Sequence, residues 1–486
     1  MTNKALRFAI IGSGMAGILA GVRLREAGYD KVTILEKASA IGGTWRENRY
    51  PGLYCDVPAH AYTYSFAPNP DWSGYLAPGP EIQRYFEDVA RRHGLYDIIR
   101  FNQEVERCSF EDGHWTVLSK TGERYAADII VAATGVLHHP RLPDIEGLER
   151  FAGRCFHSAR WPADVHLEGK RVGIIGNGST GVQLVSALAG RASRVAHFQR
   201  SPQWIMPVEN RPYSEAERAA FRANPDLVEA IRFDSTYLSN VRRFTDAIAD
   251  PSSPPMAIIE GICRDHFETT VLDTALREKL RPSYRAACKR LIYSPDYFRV
   301  VQRPDVEVIT TRIRRIEPEG VRCVDETLHP LDALILATGF HADRFMRPID
   351  IRGRRGASLQ QVWAKRPHAY LAISIPEFPN LFMLNGPGGP VGNFSLIDIA
   401  ERQWGYIAEL IALIDRGECR EIAPTQAALT AYEQRRIAAA KGTIFGSGCS
   451  SWYLDAEGVP NTWPWSYDAF AEQMSSPNLE AFERVA

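Results

Sequence analysis

The sequence predicts an α/β protein built from two parallel-sheet domains, the second inserted in the first. Three observations carry that prediction. Two strand–helix–strand units recur about 160 residues apart, each turning on a G-x-G-x-x-G segment. Two further apolar strands, each running into Ala-Thr-Gly, lie one before and one after the second unit. A charged, helix-like stretch with no strand pattern separates the second unit from its continuation.

Taken in order, Arg7 to Gly12 is a short apolar run ending in glycine, the pattern of a buried strand. From Met15 to Ala27 the apolar residues fall at helical spacing, with Gly28 as the C-cap. Val32 to Leu35 closes the first unit. Asp128 to Ala132 is the first Ala-Thr-Gly strand. The second unit runs as a strand from Arg171 to Gly176, a helix from Ser179 to about Leu188 and a strand from Val195 to Phe198. Tyr213 to Lys279 reads as a helical cap, broken at Asp250-Pro251-Ser252-Ser253-Pro254-Pro255. Ala333 to Leu336 is the second Ala-Thr-Gly strand. These elements divide the chain into a first dinucleotide-binding domain (1–140 and 331–486), a second (150–212 and 280–330) and a helical insertion (213–279).

The chain has 486 residues, is 45% hydrophobic and 24% charged, and carries 57 basic against 58 acidic residues. That balance gives no electrostatic reason to expect nucleic acid or an anionic membrane as a partner. No apolar run approaches the roughly 20 residues of a membrane span. A strand-like run follows Met1-Thr2-Asn3-Lys4 directly, so no signal peptide is expected and the location is read as cytoplasmic. The eight cysteines are scattered, with no C-x-x-C pair, which argues against a zinc site and a dithiol centre. Reduced thiols and no metal are the expectation.

Gly12-Ser13-Gly14-Met15-Ala16-Gly17 joins a strand to a helix, where glycines let a pyrophosphate approach the helix N-terminus. Glu36 ends the next strand, 24 residues after Gly12, where a carboxylate accepts from ribose hydroxyls. Gly176-Asn177-Gly178-Ser179-Thr180-Gly181 repeats the pattern, but the counterpart of Glu36 is Arg200, followed by Ser201. A guanidinium and a hydroxyl there favour a 2′-phosphate. The second site therefore selects NADPH, the first an adenine dinucleotide without that phosphate. Since two nicotinamides would have no electron acceptor between them, the pair is read as FAD plus NADP(H).

Phe151-Ala152-Gly153-Arg154-Cys155-Phe156-His157-Ser158-Ala159-Arg160-Trp161-Pro162 fits F-x-G-x-x-x-H-x-x-x-W-P. Gly42-Gly43-Thr44-Trp45 through Tyr50-Pro51-Gly52 to Asp56 fits G-G-x-W-x-x-x-x-Y-P-G-x-x-x-D. Both patterns resemble those of type I Baeyer–Villiger monooxygenases; the related flavin-containing monooxygenases usually end the first in Tyr or Phe. The resemblance runs to about Tyr453.

It implies the following roles. Arg290, in Lys289-Arg290, is the cation over the flavin, held by Asp56, and Lys289 is a cofactor-phosphate contact. Thr44, Trp45, Tyr62, Val105 and Leu396 fall among the FAD contacts, and Trp452 lies near the nicotinamide cofactor. Phe151, Gly153, His157 and Trp161 are the fingerprint; His157 couples domain position to nicotinamide binding and is not a catalytic base. The activity implied is NADPH-driven insertion of one oxygen of O2 into a ketone through a C4a-peroxyflavin, giving an ester or lactone by a monomer or weak oligomer. The alternative is oxygenation of a sulfide or amine by the same intermediate. An idle NADPH-binding redox sensor has no need of Asp56, Lys289 and Arg290. After Trp452 the chain reads Tyr453-Leu454-Asp455 through Trp465, where many members carry G-A-N-x-P-G-K-P; that departure bears on substrate, not on the cofactor motifs.

Overall fold

The protein is described here from a computed structural model that covers residues 5–233 and 235–486. Two five-stranded parallel sheets dominate it. The first has the strand order Leu381–Met383, Ile129–Ala132, Phe8–Ile11, Val32–Leu35, Ile99–Arg100. The second runs Arg154–His157, Ala333–Leu336, Arg171–Ile175, Arg194–Phe198, Val306–Ile309. In each sheet the strand before the glycine turn is central, and it is apolar and buried except for the exposed Arg171 that opens the second, as a strand covered on both faces must be.

The helix after the first turn spans Met15–Glu26, and Gly28 follows its end at φ 83°, one place beyond the cap residue Ala27. The second unit's helix is Ser179–Leu188. Both helices pack so tightly on their turns that glycine is required. A Cβ on Gly17 would lie 1.9 Å from the Gly12 carbonyl oxygen, and one on Gly181 would lie 2.0 Å from that of Gly176. Backbone cannot yield as a flexible side chain can, so Gly181→Ala is expected to cost about 1–3 kcal/mol of overpacking. A lowered denaturant midpoint at unchanged slope would show it.

The insertion of the second domain in the first holds, but one boundary does not. Ala333–Leu336, placed above in the first domain, pairs in parallel with Val172–Ile175 and with Arg154–His157 in the second sheet. Each Ala-Thr-Gly strand thus completes its own domain, and the chain returns to the first domain only through Thr338–His341. Both strands are four-residue apolar runs, fully buried and followed by Ala-Thr-Gly, so pattern alone did not distinguish their sheets.

The segment 213–279 is helical as expected: Glu215–Ala223, Pro225–Phe233, Ser235–Ala249, Pro254–Thr270 and Thr274–Leu280. The proline-rich break is the turn before Pro254, where the Ser253 hydroxyl accepts from the Met256 amide and caps the next helix. The insertion is shared between domains. Tyr213, Phe221, Val228 and Val241 are buried in the first domain's core, Phe267, Val271 and Leu280 in the second's.

Candidate active site

Both glycine turns leave the first amides of a helix without a side-chain cap. Such uncapped amides, with the positive end of the helix dipole, form a cradle for a pyrophosphate. In the first domain a second glycine pair closes on this cradle. Gly42 donates its amide to the Ser13 carbonyl at 3.0 Å, and a Cβ on Gly43 would come within 3.1 Å of the Gly14 Cα. Gly42 and Gly43 have φ of 114° and 53°, which explains the G-G that opens the second motif. Thr44 and Trp45 follow in the helical turn Thr44–Glu47.

Glu36 is buried, and its carboxylate accepts from the Ser13 amide (2.8 Å), the Ser13 hydroxyl (2.7 Å) and the Ala38 amide (2.9 Å). These contacts fix it beside the Gly12–Gly14 turn with lone pairs left for ribose hydroxyls. Val105 is buried at the start of the strand Val105–Glu111, two residues past Gln103, whose amide donates to the Glu36 carbonyl. Trp45 Nε1 donates to the Tyr62 hydroxyl at 3.1 Å, and the two rings meet edge to face at 5.6 Å. Leu396 opens the long helix Leu396–Asp415; the preceding Ser395 hydroxyl donates to the Ala61 carbonyl, which holds that helix end beside Tyr62.

The Tyr50-Pro51-Gly52 turn joins the two domains. Tyr50 donates to Gln183 Oε1 at 2.9 Å, and Gln183 returns its amide to the Tyr54 carbonyl at 3.1 Å. A Cβ on Gly52 would sit 2.7 Å from that of Ala187, so the turn lies directly on the helix that follows the second cradle. That contact carries the strand Tyr54–Pro58, and with it Asp56, toward the second domain.

Asp56 meets Arg290 there. Arg290 Nη2 donates to Asp56 Oδ2 at 2.6 Å, and Nη1 donates to the Gly392 carbonyl at 2.9 Å. Burial works against the guanidinium charge, but the Asp56 carboxylate and the Tyr453 hydroxyl outweigh it and hold the pKa above that of free arginine. Arg290 therefore keeps its charge at every working pH, with its fork anchored on both sides.

Tyr453 and Gly392 were not singled out above. The first is a buried phenol facing Arg290, and a Cβ on the second would lie 2.4 Å from the Tyr453 hydroxyl and 2.7 Å from Arg290 Nη1. Tyr453 adjoins Trp452 in sequence, and Gly392 lies four residues before Leu396. Adjacency was the only signal for either.

Arg200, Ser201 and Lys289 converge at the edge of the second domain. Lys289 Nζ donates to the Ser201 hydroxyl at 2.8 Å, and the Ser201 carbonyl accepts from Asn177 at 2.7 Å. Burial and the neighbouring Arg200 both lower the Lys289 pKa. Neither cation has a carboxylate in this group, so it suits a phosphate dianion.

His157 Nε2 donates to the Gly339 carbonyl at 3.0 Å, and Nδ1 accepts from the Ala159 amide at 3.1 Å. Burial, aided by Arg160, lowers its pKa, so the ring is neutral with both nitrogens occupied. Gly339 lies on the return crossing between domains, which fits coupling of domain position rather than proton transfer. Around it, Phe151 is buried, a Cβ on Gly153 would meet the Asp332 carbonyl oxygen at 2.5 Å, and Trp161 packs edge-on against Phe156. Trp452 is exposed (45%) and stacked on Tyr453 at 4.1 Å, an open ring face at the entrance to the Arg290 region.

One expectation is overturned. Cys288 and Cys449 form a disulfide, 161 residues apart in sequence, whereas the other six cysteines are free. Their spacing carries no signal because only the tertiary fold brings the two turns together. Among the described residues no group of three or more metal-ligating side chains occurs, and no helix is long and apolar enough to cross a membrane.

Two glycine cradles of different ribose chemistry, with a fixed guanidinium where the domains meet, define an oxidoreductase of the two-dinucleotide class. The comparisons agree. Residues 9–220 match the family model described as pyridine nucleotide-disulphide oxidoreductase. An uncharacterized monooxygenase of Mycobacterium tuberculosis is 42% identical over 96% of this chain and 93% of its own. A Baeyer–Villiger monooxygenase of Streptomyces coelicolor is 35% identical over 99% and 93%. The crystal structure of cyclohexanone monooxygenase from Rhodococcus sp. Phi1 bound to NADP+ superimposes with a TM-score of 0.87 at 30% identity, over 99% of both chains. The chain belongs to the Baeyer–Villiger monooxygenase family.

Proposed function

We propose that this protein is an FAD- and NADPH-dependent monooxygenase that inserts one oxygen atom of O2 into a small-molecule ketone to give an ester or lactone. The observation that carries the reading is Arg290, permanently charged and held by Asp56 and the Gly392 carbonyl where both domains meet. A fixed cation at that place has a use only where negative charge develops.

When bound, the flavin supplies the redox and oxygen chemistry, with NADPH as the source of hydride. The chain's residues supply the rest. Gly12, Gly14 and Gly17 admit one pyrophosphate, Glu36 holds its ribose, and Val105 borders the adenosine end. Thr44, Trp45, Tyr62 and Leu396 bound the ring end. Gly176, Gly178, Ser179, Thr180 and Gly181 cradle the second dinucleotide, and Arg200, Ser201 and Lys289 take its 2′-phosphate. Trp452 offers a stacking face to the nicotinamide half. Arg290 would offer fixed positive charge to negative charge developing beside it, and Asp56 orients it. His157 relays the placement of one domain to the other through Gly339. A cytoplasmic setting goes with this reading.

Substrate-dependent NADPH consumption in air, with product identification by mass spectrometry, tests it. Ketones are expected to return products heavier by one oxygen, as esters or lactones. NADPH consumption that yields only sulfoxides or N-oxides, with every ketone inert, would overturn the assignment.

A further inference from the structure

We propose that Cys288 and Cys449 are a reversible oxidation site, and that the bond between them clamps the arm carrying Arg290 to the segment carrying Trp452 and Tyr453. Cys288 lies two residues before Arg290 and Cys449 four before Tyr453, so one cross-link spans both sides of the contact that holds the guanidinium. Each cysteine follows a residue in the left-handed region, Ala287 at φ 63° and Gly448 at φ 99°. For alanine that conformation is costly and persists only where the surroundings impose it.

The surroundings are specific. The Ser447 hydroxyl donates to the Ile444 carbonyl at 2.7 Å and lies 3.1 Å from Cys288 Sγ, and Ala247, Met256, Ile444 and Phe445 pack around the pair. Cys449 is itself buried, but it lies beneath the exposed run Gly446–Gly448. Apart from the disulfide, the two segments are joined by the Tyr453–Arg290 contact, the contact of the Ser447 hydroxyl with Cys288 Sγ and this packing. Removing the covalent bond therefore leaves Arg290 with Asp56 and Gly392 but loosens the wall formed by Tyr453.

The chemistry balances with a hydroperoxide as oxidant. In the dithiol form the Cys288 thiolate, beside the Ser447 hydroxyl, attacks a peroxide oxygen. The O–O bond breaks, one water leaves after protonation, and Cys288 becomes a sulfenic acid. The Cys449 thiolate then attacks that sulfur, the S–O bond breaks and a second water leaves. Two thiols are oxidised to one disulfide while hydrogen peroxide is reduced to two waters. A dithiol reverses the change by exchange. The effect on oxygen transfer rests on the role given to Arg290 above; the thiol chemistry does not.

The test uses the full-length holoenzyme, reduced with a phosphine, freed of it and then treated with hydrogen peroxide. Denatured protein is expected to titrate as eight thiols before treatment and six after, with a Cys288–Cys449 peptide in a non-reducing digest. Limited proteolysis within 446–450 is expected to be at least threefold faster in the reduced form and in Cys449→Ser. Hydrogen peroxide released per NADPH is expected to at least double in both, and to return to its lower value only in the wild type after reoxidation. An unchanged thiol count, a linkage to another cysteine, or equal cleavage rates in the two states would overturn the proposal. Faster cleavage with unchanged peroxide release would uphold the clamp and count against the role of Arg290.

Discussion

Arg290→Ala is expected to retain FAD and to lose ketone oxygenation below detection. The residues assigned to FAD binding lie in the Gly12–Gly17 cradle, at Glu36 and around Trp45 and Tyr62, none of which bonds to Arg290. What disappears is the only charge in the Asp56–Gly392–Tyr453 group that can stabilise a developing anion. Loss of a preorganised donor of this kind costs on the order of 10²–10³ in turnover even in a site with other donors. NADPH oxidation is expected to continue slowly and to yield hydrogen peroxide. Arg290→Lys should restore little, because an ammonium cannot donate at once to Asp56 and Gly392 as the fork does. Asp56→Ala should give a milder form of the same defect, with more peroxide per NADPH. Measuring flavin absorbance, NADPH loss, peroxide and ester in parallel separates these outcomes. Wild-type ketone turnover by Arg290→Ala would place the essential charge elsewhere.

The second large effect concerns coenzyme choice. Arg200→Ala is expected to raise KM for NADPH ten- to a hundredfold, about 1.5–3 kcal/mol for a charge-assisted phosphate contact. NADH, which lacks the 2′-phosphate, should be changed far less. The geometry gives Arg200 and Lys289 no carboxylate within their group, with Ser201 shared between Lys289 and the turn at Asn177. Losing one cation leaves the other, so a double substitution with Lys289→Ala should exceed either single change. Equal losses with NADPH and NADH would show that Arg200 does not read the phosphate.

Much of the fold and of the candidate site was legible before any coordinate, because local physics dictates it. A glycine turn between a buried strand and a helix constrains six residues at once, so both cradles and the acid-to-arginine exchange at Glu36 and Arg200 could be read directly. Asp56 and Arg290, 234 residues apart, were paired through family motifs, and the structure joins them at 2.6 Å. What escaped depends on the third dimension. The two Ala-Thr-Gly strands are alike in composition, and only hydrogen bonding assigns Ala333–Leu336 to the second sheet. Gly392 matters for what a side chain there would strike, a property of two other segments. Cys288 and Cys449 lack any spacing rule, so their union waited on the fold.

The strand Leu381–Met383 sits beside Ile129–Ala132 at one edge of the first sheet. On the ribosome, the second domain has all five of its strands once Leu336 has emerged, whereas the first still lacks this one. Until then Ile129–Ala132, buried along its whole length in the finished protein, is an unpaired apolar edge open to other chains. The domain that begins first is therefore completed last, the reverse of the usual N-to-C order of domain folding. Truncation before residue 381 removes an edge strand of the first sheet and, with the helix Leu396–Asp415, part of the first domain's core rather than a dispensable tail, and such fragments should aggregate rather than behave as a smaller enzyme.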